Sequence, residues 1–167
     1  KTKKMGRVFF DTREHTHEIT ASTTAYQCLA SDSNKTFILN TAAATVITLP
    51  ADADMEIGWN IKIVQALANN AGTLIKCSDV TDTTGQMFIG GVNYQLIADA
   101  TANVFQGYAA AAANDSQLAL DTNLADNEAT VGTNLTIMKT AANRFMVTGH
   151  VATTDADGTG AAIFSNI

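Results

Sequence analysis

The chain is poor in proline, in cysteine and in charge. Pro50 is the one proline among 167 residues, two residues are cysteine, and Asp, Glu, Lys and Arg together make up 16%. Cys28 and Cys77 lie far apart and form no Cys-x-x-Cys pair, which excludes a zinc ribbon and a disulfide framework. They read as two small buried hydrophobes. A single bridge between them stays open, because the sequence does not place their Cα atoms. No apolar run approaches the roughly 20 residues that a membrane-spanning helix needs. No secretory leader is legible behind the basic start. A nucleophile elbow, a phosphate loop and a dinucleotide fingerprint are all missing. These absences point away from an enzyme and imply no cofactor.

What remains is rich in Ala, Thr and Asn. Such a composition suits strands whose outer faces carry hydroxyls rather than lysines, and a surface hidden in an assembly. A chain of this length buries roughly 70% of its unfolded surface and needs no staples to fold. The net charge of −6 is unevenly spread. Residues 1–18 hold Lys1, Lys3, Lys4, Arg7 and Arg13 against Asp11, Glu14 and Glu18, whereas the remainder has five basic residues against thirteen acidic ones. A basic arm on an acidic body argues against a nucleic-acid-binding body, which needs clustered Lys and Arg. The basic start reads as an arm that touches an acidic partner or simply stays solvated.

Period-two runs dominate the chain. Trp59, Ile61 and Ile63 alternate with Asn60 and Lys62. Thr36–Asn40, Thr45–Leu49 and Thr73–Cys77 read as strands, the second as partner of the first and the third as the return of a hairpin from Trp59–Val64. Pro50 stops its strand. Thr23–Ala30 reads as a short helical turn. Met87–Ile89 reads as a strand broken by Gly90-Gly91. Asn93–Ile97, Asn103–Tyr108 and Ser116–Asp121 follow as strands, and Asn134–Met138 with Arg144–Thr148 as a hairpin that Gly149–Ala152 prolongs. The reading is mainly β: an antiparallel β-sandwich or β-barrel of about ten short strands. An extended N-terminal arm over 1–18 precedes a single β domain over 19–167. No repeat of 20–50 residues is visible, which argues against a solenoid.

Candidate sites are few. His15 and His17 stand two apart with Glu14 and Glu18 beside them, a weak metal pair without a third ligand. They read better as polar arm residues. His150 has no acid nearby. Asp155-Ala-Asp157-Gly158 lacks most of a calcium loop and reads as a turn. Asp52, Asp54 and Glu56, like Asp79 and Asp82, read as solvated carboxylates. Tyr94, Phe105 and Tyr108 are the aromatics that could stack on a sugar; core positions explain them better.

The stretch Asp32-Ser-Asn-Lys-Thr-Phe-Ile-Leu, followed by Ala42-Ala-Ala-Thr-Val-Ile-Thr-Leu-Pro50, resembles a module of tailed-bacteriophage virion proteins: capsid decoration (cement) proteins, head fibres and tail-associated proteins. Gly58–Val64 matches the strand that usually follows, and Val131–Met138 with Asn143–Gly149 look like its closing hairpin. Asn34 replaces the usual glycine of the first turn, a position that asparagine tolerates. Thr140-Ala-Ala142 replaces an Asp-Gly turn, so that turn needs another geometry. The resemblance implies a homotrimer on the virion exterior that binds the major capsid protein, with no membrane and no nucleic acid involved. Under it, Lys3, Lys4, Arg7, Val8, Phe9, Phe10 and Arg13 are the capsid-contact candidates, combining four of the ten basic residues with an aromatic anchor. A tail-fibre or tail-tip domain that binds a host receptor or glycan is the alternative.

Overall fold

A computed structural model describes residues 15–69, 71–79, 85–96, 105–110, 115–120, 130–153 and 164–165. It is mainly β and sandwich-like. The strands are β1 (Thr16–Ile19), β2 (Ala25–Gln27), β3 (Lys35–Leu39), β4 (Thr45–Thr48), β5 (Asn60–Gln65), β6 (Thr73–Lys76), β7 (Met87–Leu96), β8 (Phe105–Ala109), β9 (Gln117–Leu120), β10 (Asn134–Ala141), β11 (Arg144–Thr153) and β12 (Phe164–Ser165). Seven form one sheet in the order β1-β3-β5-β10-β11-β7-β8, and five form the other in the order β12-β9-β6-β4-β2. β1 takes Thr16–Glu18 into the sheet, so the last residues of the expected arm belong to the body. Residues 1–14 of that arm, with every capsid-contact candidate, lie outside the described residues, as do Asp82 and Asp155–Gly158.

The period-two runs explain the core. Phe37, Ile63 and Leu135 form one inward row across β3, β5 and β10, and Ile61, Ile137 and Val147 form another. Ile47, Ile75, Leu118 and Phe164 meet them from the second sheet. All of these are buried. Each such side chain contributes about 2 kcal/mol through its removal from water. Between the inward positions stand residues such as Lys62, Thr136 and Thr148, which share an outward row.

Pairing departs from expectation. The strands were expected to be antiparallel, yet β1/β3, β3/β5, β2/β4, β4/β6 and β7/β11 pair in parallel. β3 and β4 do not pair with each other, nor do β5 and β6. From β1 to β6 the chain steps from one sheet to the other at every connection, and each strand lies beside the one a full coil earlier. Thr16 faces Thr36, Lys35 faces Ile61, Ala25 faces Val46 and Thr45 faces Thr73. Three unequal coils therefore wind around the core, a solenoid-like course that the sequence analysis argued against. Antiparallel ladders, β5/β10 and β6/β9, then fasten this wound half to the rest.

Three local expectations are corrected as well. Thr23–Ala30 is no helical turn: it holds β2, and a single 3-10 turn follows at Ala30–Asp32. Gly90-Gly91 does not end its strand, because Gly90 at φ +90 lets β7 run through to Leu96. The tail, which showed no strand signal, supplies β12. In the closing hairpin Asn143 takes the left-handed conformation at φ 56, and a register shift lies between Lys139 and Ala141. Asn34 adopts φ 69, as its place in the first turn requires.

Among the described residues the two ends of the sandwich are unlike. At one end β2, β4 and β6 finish and β3, β5 and β7 begin. Asp32, Lys35, Asp52, Asp54, Glu56, Lys139 and Arg144 gather there. At the other end lie residues 20–24, 40–44, 66–69 and 130–133, none of them charged.

Candidate interaction surface

The charged end is built by two carboxylates that the fold itself uses. Asp32, 1% exposed, closes the turn after β2. Its Oδ2 accepts the Leu29 N–H at 2.8 Å and the Tyr26 hydroxyl at 3.2 Å, and its Oδ1 accepts Lys35 Nζ at 2.9 Å. Burial alone would raise its pKa, but these donors hold the carboxyl below its ordinary value. Burial and the nearby Asp32 charge push the Tyr26 phenol up to about 12.

Asp52 stands in the 3-10 turn Asp52–Asp54 behind Pro50. Its Oδ1 lies 2.8 Å from Lys139 Nζ and accepts the Asn143 N–H at 2.8 Å. Lys139 points inward from β10 and is buried, with its ammonium also donating to the Asp52 and Met55 carbonyls at 2.7 and 2.9 Å. The three acceptors offset the desolvation of the charge. The same lysine and the Asn143 N–H outweigh burial at Asp52 and hold its carboxyl below the ordinary value. Asp52 is thus a structural anchor rather than the solvated carboxylate expected of it, whereas Asp54 and Glu56 are exposed.

Beside these pairs an open groove of about 420 Å³ is lined by Gln27, Cys28, Leu29, Ala30, Pro50, Ala51 and Asp54. Leu29 is 57% exposed at its rim. The Gln27 amide already donates to the Leu49 carbonyl at 3.0 Å. Asp54 is the one ionisable side chain of the lining besides the Cys28 thiol. Burial pushes that thiol, like Cys77, up to about 12. A groove of this kind offers contact area and one negative charge, with no nucleophile ionised near neutrality.

Both cysteines are free and buried. Cys28 donates its N–H to Thr48 and Leu49 donates to Lys76, so Cys28, Leu49 and Cys77 stand in one row across β2, β4 and β6. Two strand spacings separate the sulfur-bearing residues by about 9.5 Å, and a bridge spans at most about 7 Å between Cα atoms.

The weak metal-pair candidate is divided. His15 is exposed, whereas the His17 ring packs between Tyr26 and Phe37 with centroids 4.5 and 5.5 Å away. No group of three His, Cys, Asp or Glu side chains that could hold a metal occurs among the described residues. His150 sits on the outer face of the seven-stranded sheet, level with Asn134 and Asn93. Tyr94 falls on β7 opposite Gln106, and Phe105 and Tyr108 fall on β8 opposite Gln95 and Val92.

The outer faces are the feature that composition foreshadowed. On the seven-stranded sheet Lys62, Thr136 and Thr148 share one row, and Met138, Met146 and Ile89 share another. Among the described residues this face carries Glu18, Lys62 and Arg144 as its charges. The five-stranded sheet presents Ala25, Val46, Leu74 and Ala119 in one row and Gln27, Thr48, Lys76 and Gln117 in the next. Lys76 is its one described charge. What the sequence analysis missed here is Lys139, whose alternation marked it as inward but whose charge suggested the surface. No helix among the described residues is long and apolar enough to cross a membrane. No family model, no curated protein and no solved structure matches the chain.

Proposed function

We propose that this chain is a structural protein of a tailed-bacteriophage virion that binds the outer capsid surface as a decoration (cement) protein and stabilises the shell. The observation that carries the reading is the pair of outer faces, built from rows of Thr, Asn, Met and Val with hardly any charge. Interface cores are depleted in charge in the same way. Asp32 and Asp52 are engaged in holding turns rather than aimed into a cleft. The Ser31–Pro50 stretch that carries the resemblance spans the 3-10 turn, β3 and β4, with Asn34 supplying the left-handed residue. The partner is the major capsid protein, the oligomer a homotrimer, and the basic arm, residues 1–13, the contact with the shell.

Copy number tests this. Quantitative peptide mass spectrometry on purified virions is expected to find the chain at a ratio of the same order as the shell protein. A ratio one or two orders of magnitude lower would move it to the tail or a fibre, and absence from virions would remove the structural reading altogether. Deletion of residues 1–13 is expected to abolish shell binding with the fold intact.

The stacked coils favour a second reading, a tail-fibre or tail-tip domain that binds a host receptor or glycan, because wound architectures grow into rods by adding coils. A glycan array without hits would leave that reading unsupported.

A further inference from the structure

The first coil of the winding, β1 with β2, lies at the edge of both sheets at once. In the five-stranded sheet Val46 donates to the Thr24 carbonyl and Cys28 donates to the Thr48 carbonyl. In a parallel ladder this alternation turns Thr24, Tyr26 and Cys28 toward β4 and the N–H and C=O groups of Ala25 and Gln27 away from it. In the seven-stranded sheet Thr36 donates to the His15 carbonyl and Asn40 donates to the Ile19 carbonyl. By the same rule His17 faces β3, and Thr16 and Glu18 face away. Among the described residues no strand lies beyond either edge. Neither strand carries the lysine, proline or bulge that blunts an edge.

The two edges are also in step. The His17 and Tyr26 rings lie 4.5 Å apart, so the middle residues of the two edge strands stand at one level. Both are half-buried, whereas Phe37, Ile47 and Ile75, which continue their rows inward, are 0% exposed.

We propose that a second copy of this chain covers both edges, so that each sheet continues into its counterpart through antiparallel β1/β1 and β2/β2 pairs about one twofold axis. The axis passes His17 and Tyr26. Around it Thr16 meets the partner's Glu18 and Ala25 meets the partner's Gln27, and each pair exchanges the N–H and C=O groups that face outward. His17 and Tyr26 then stand opposite themselves in the closer, non-hydrogen-bonded sites, with Cα atoms about 4.5 Å apart, and their open ring faces become buried. The level shared by the two edges selects this occupant. An added peptide strand fills one edge and leaves the other open, whereas a second copy presents both edges at the spacing of the sandwich itself. Charge agrees: Glu18, the one ionised carboxylate of the two strands, comes opposite Thr16 and not opposite its own copy. The contact is isologous, the same patch on both subunits. The inference stands apart from the virion reading, whose threefold contact would use other surfaces.

Sedimentation velocity and amide hydrogen exchange on the intact chain test it together. The expected result is a twofold assembly in which the Thr16, Glu18, Ala25 and Gln27 amides exchange at least about tenfold more slowly than their intrinsic rates. In the full-length variant T16P/A25P each new ring removes an outward-facing donor and no bond within the chain. That variant is expected to lose the twofold contact, and Glu18 and Gln27 to lose their protection, while Ile47 and Ile75 keep theirs. Exchange of the edge amides at intrinsic rates in the unaltered chain would overturn the proposal without any variant. So would a monomer in which they are protected, since the cover then belongs to the same chain, or an assembly whose mass both prolines leave unchanged.

Discussion

At the scale of single residues, the buried charges of Lys139 and Asp32 are each met by hydrogen-bond partners. Lys139 illustrates this: its ammonium has two carbonyls and one carboxylate within 2.9 Å. Removing it strands those acceptors, so Lys139→Ala is expected to lower stability by about 3 kcal/mol, read as a shift in the urea midpoint. Lys139→Met keeps the stem and is expected to cost less. Asp32 and Asp52 have carboxyls held below the ordinary value. Their contribution is present above the unfolded carboxylate range and is lost as pH falls through the lower folded values. Unfolding free energy is therefore expected to stay level from about pH 5 to pH 8 and to drop below about pH 4; a flat profile down to pH 2 would contradict the two anchors. The thiols work in the opposite sense. With folded values pushed up to about 12, Cys28 and Cys77 favour folding below the ordinary thiol range, and the benefit disappears as pH rises toward 12. Iodoacetamide at pH 8 is expected to leave both unmodified in the folded chain and to alkylate both in urea.

At the scale of elements, two glycines separate backbone necessity from convenience. A Cβ on Gly149, at φ +151, would stand 2.3 Å from the Asn134 carbonyl oxygen and 2.8 Å from the Leu135 Cα. These are backbone atoms of the neighbouring strand and cannot yield separately. Gly149→Ala is expected to cost about 3 kcal/mol or more, whereas Gly58→Ala, at φ +96 with open space around it, is expected to cost about 1 to 2 kcal/mol. Thermal melts of the two variants side by side would show the difference. Strands with clean alternation, such as Trp59–Val64 and Asn134–Met138, were legible because period two has one meaning on a half-buried surface. Thr23–Ala30 was not, since a three-residue edge strand is too short to show a period and its caps resemble those of a helix. Gly90-Gly91 looked like a break because the sequence does not show that a left-handed glycine fits beside Val147. β12 was invisible for a plainer reason: two residues carry no pattern.

For the whole molecule, fold class was legible and connection was not. Local pattern reports which residues face inward, and adjacent strands were joined into hairpins on the rule that neighbours in sequence pair. From β1 to β6 each connection crosses to the opposite sheet, so the partner of β3 is β5 and that of β4 is β6. The coils have unequal lengths, which hid their repetition. The candidate surface was legible only as composition: scarce charge foretold bland outer faces, while the groove beside Pro50 depends on the return of two loops to one end. The division of labour between the halves yields another expectation. A chain ending at Cys77 would present β5 and β6 as open edges in place of their ladders with β10 and β9. It is expected to associate rather than fold as a monomer, seen as loss of the monomer peak in gel filtration.

His15 lies beside Thr36 where the winding starts, and Ser165 lies opposite Gln117 where β9 begins. Both positions belong to the charged end, so the described chain enters and leaves on the same side. A tether at either position holds the sandwich like a bulb in its socket. Whatever is fixed to it sits against Asp54 and Glu56, and the opposite end, where Leu67 and Val131 are 42% and 52% exposed, is held outward. Cargo fused ahead of His15 or behind Ser165 would therefore share one side and leave the far end open for display.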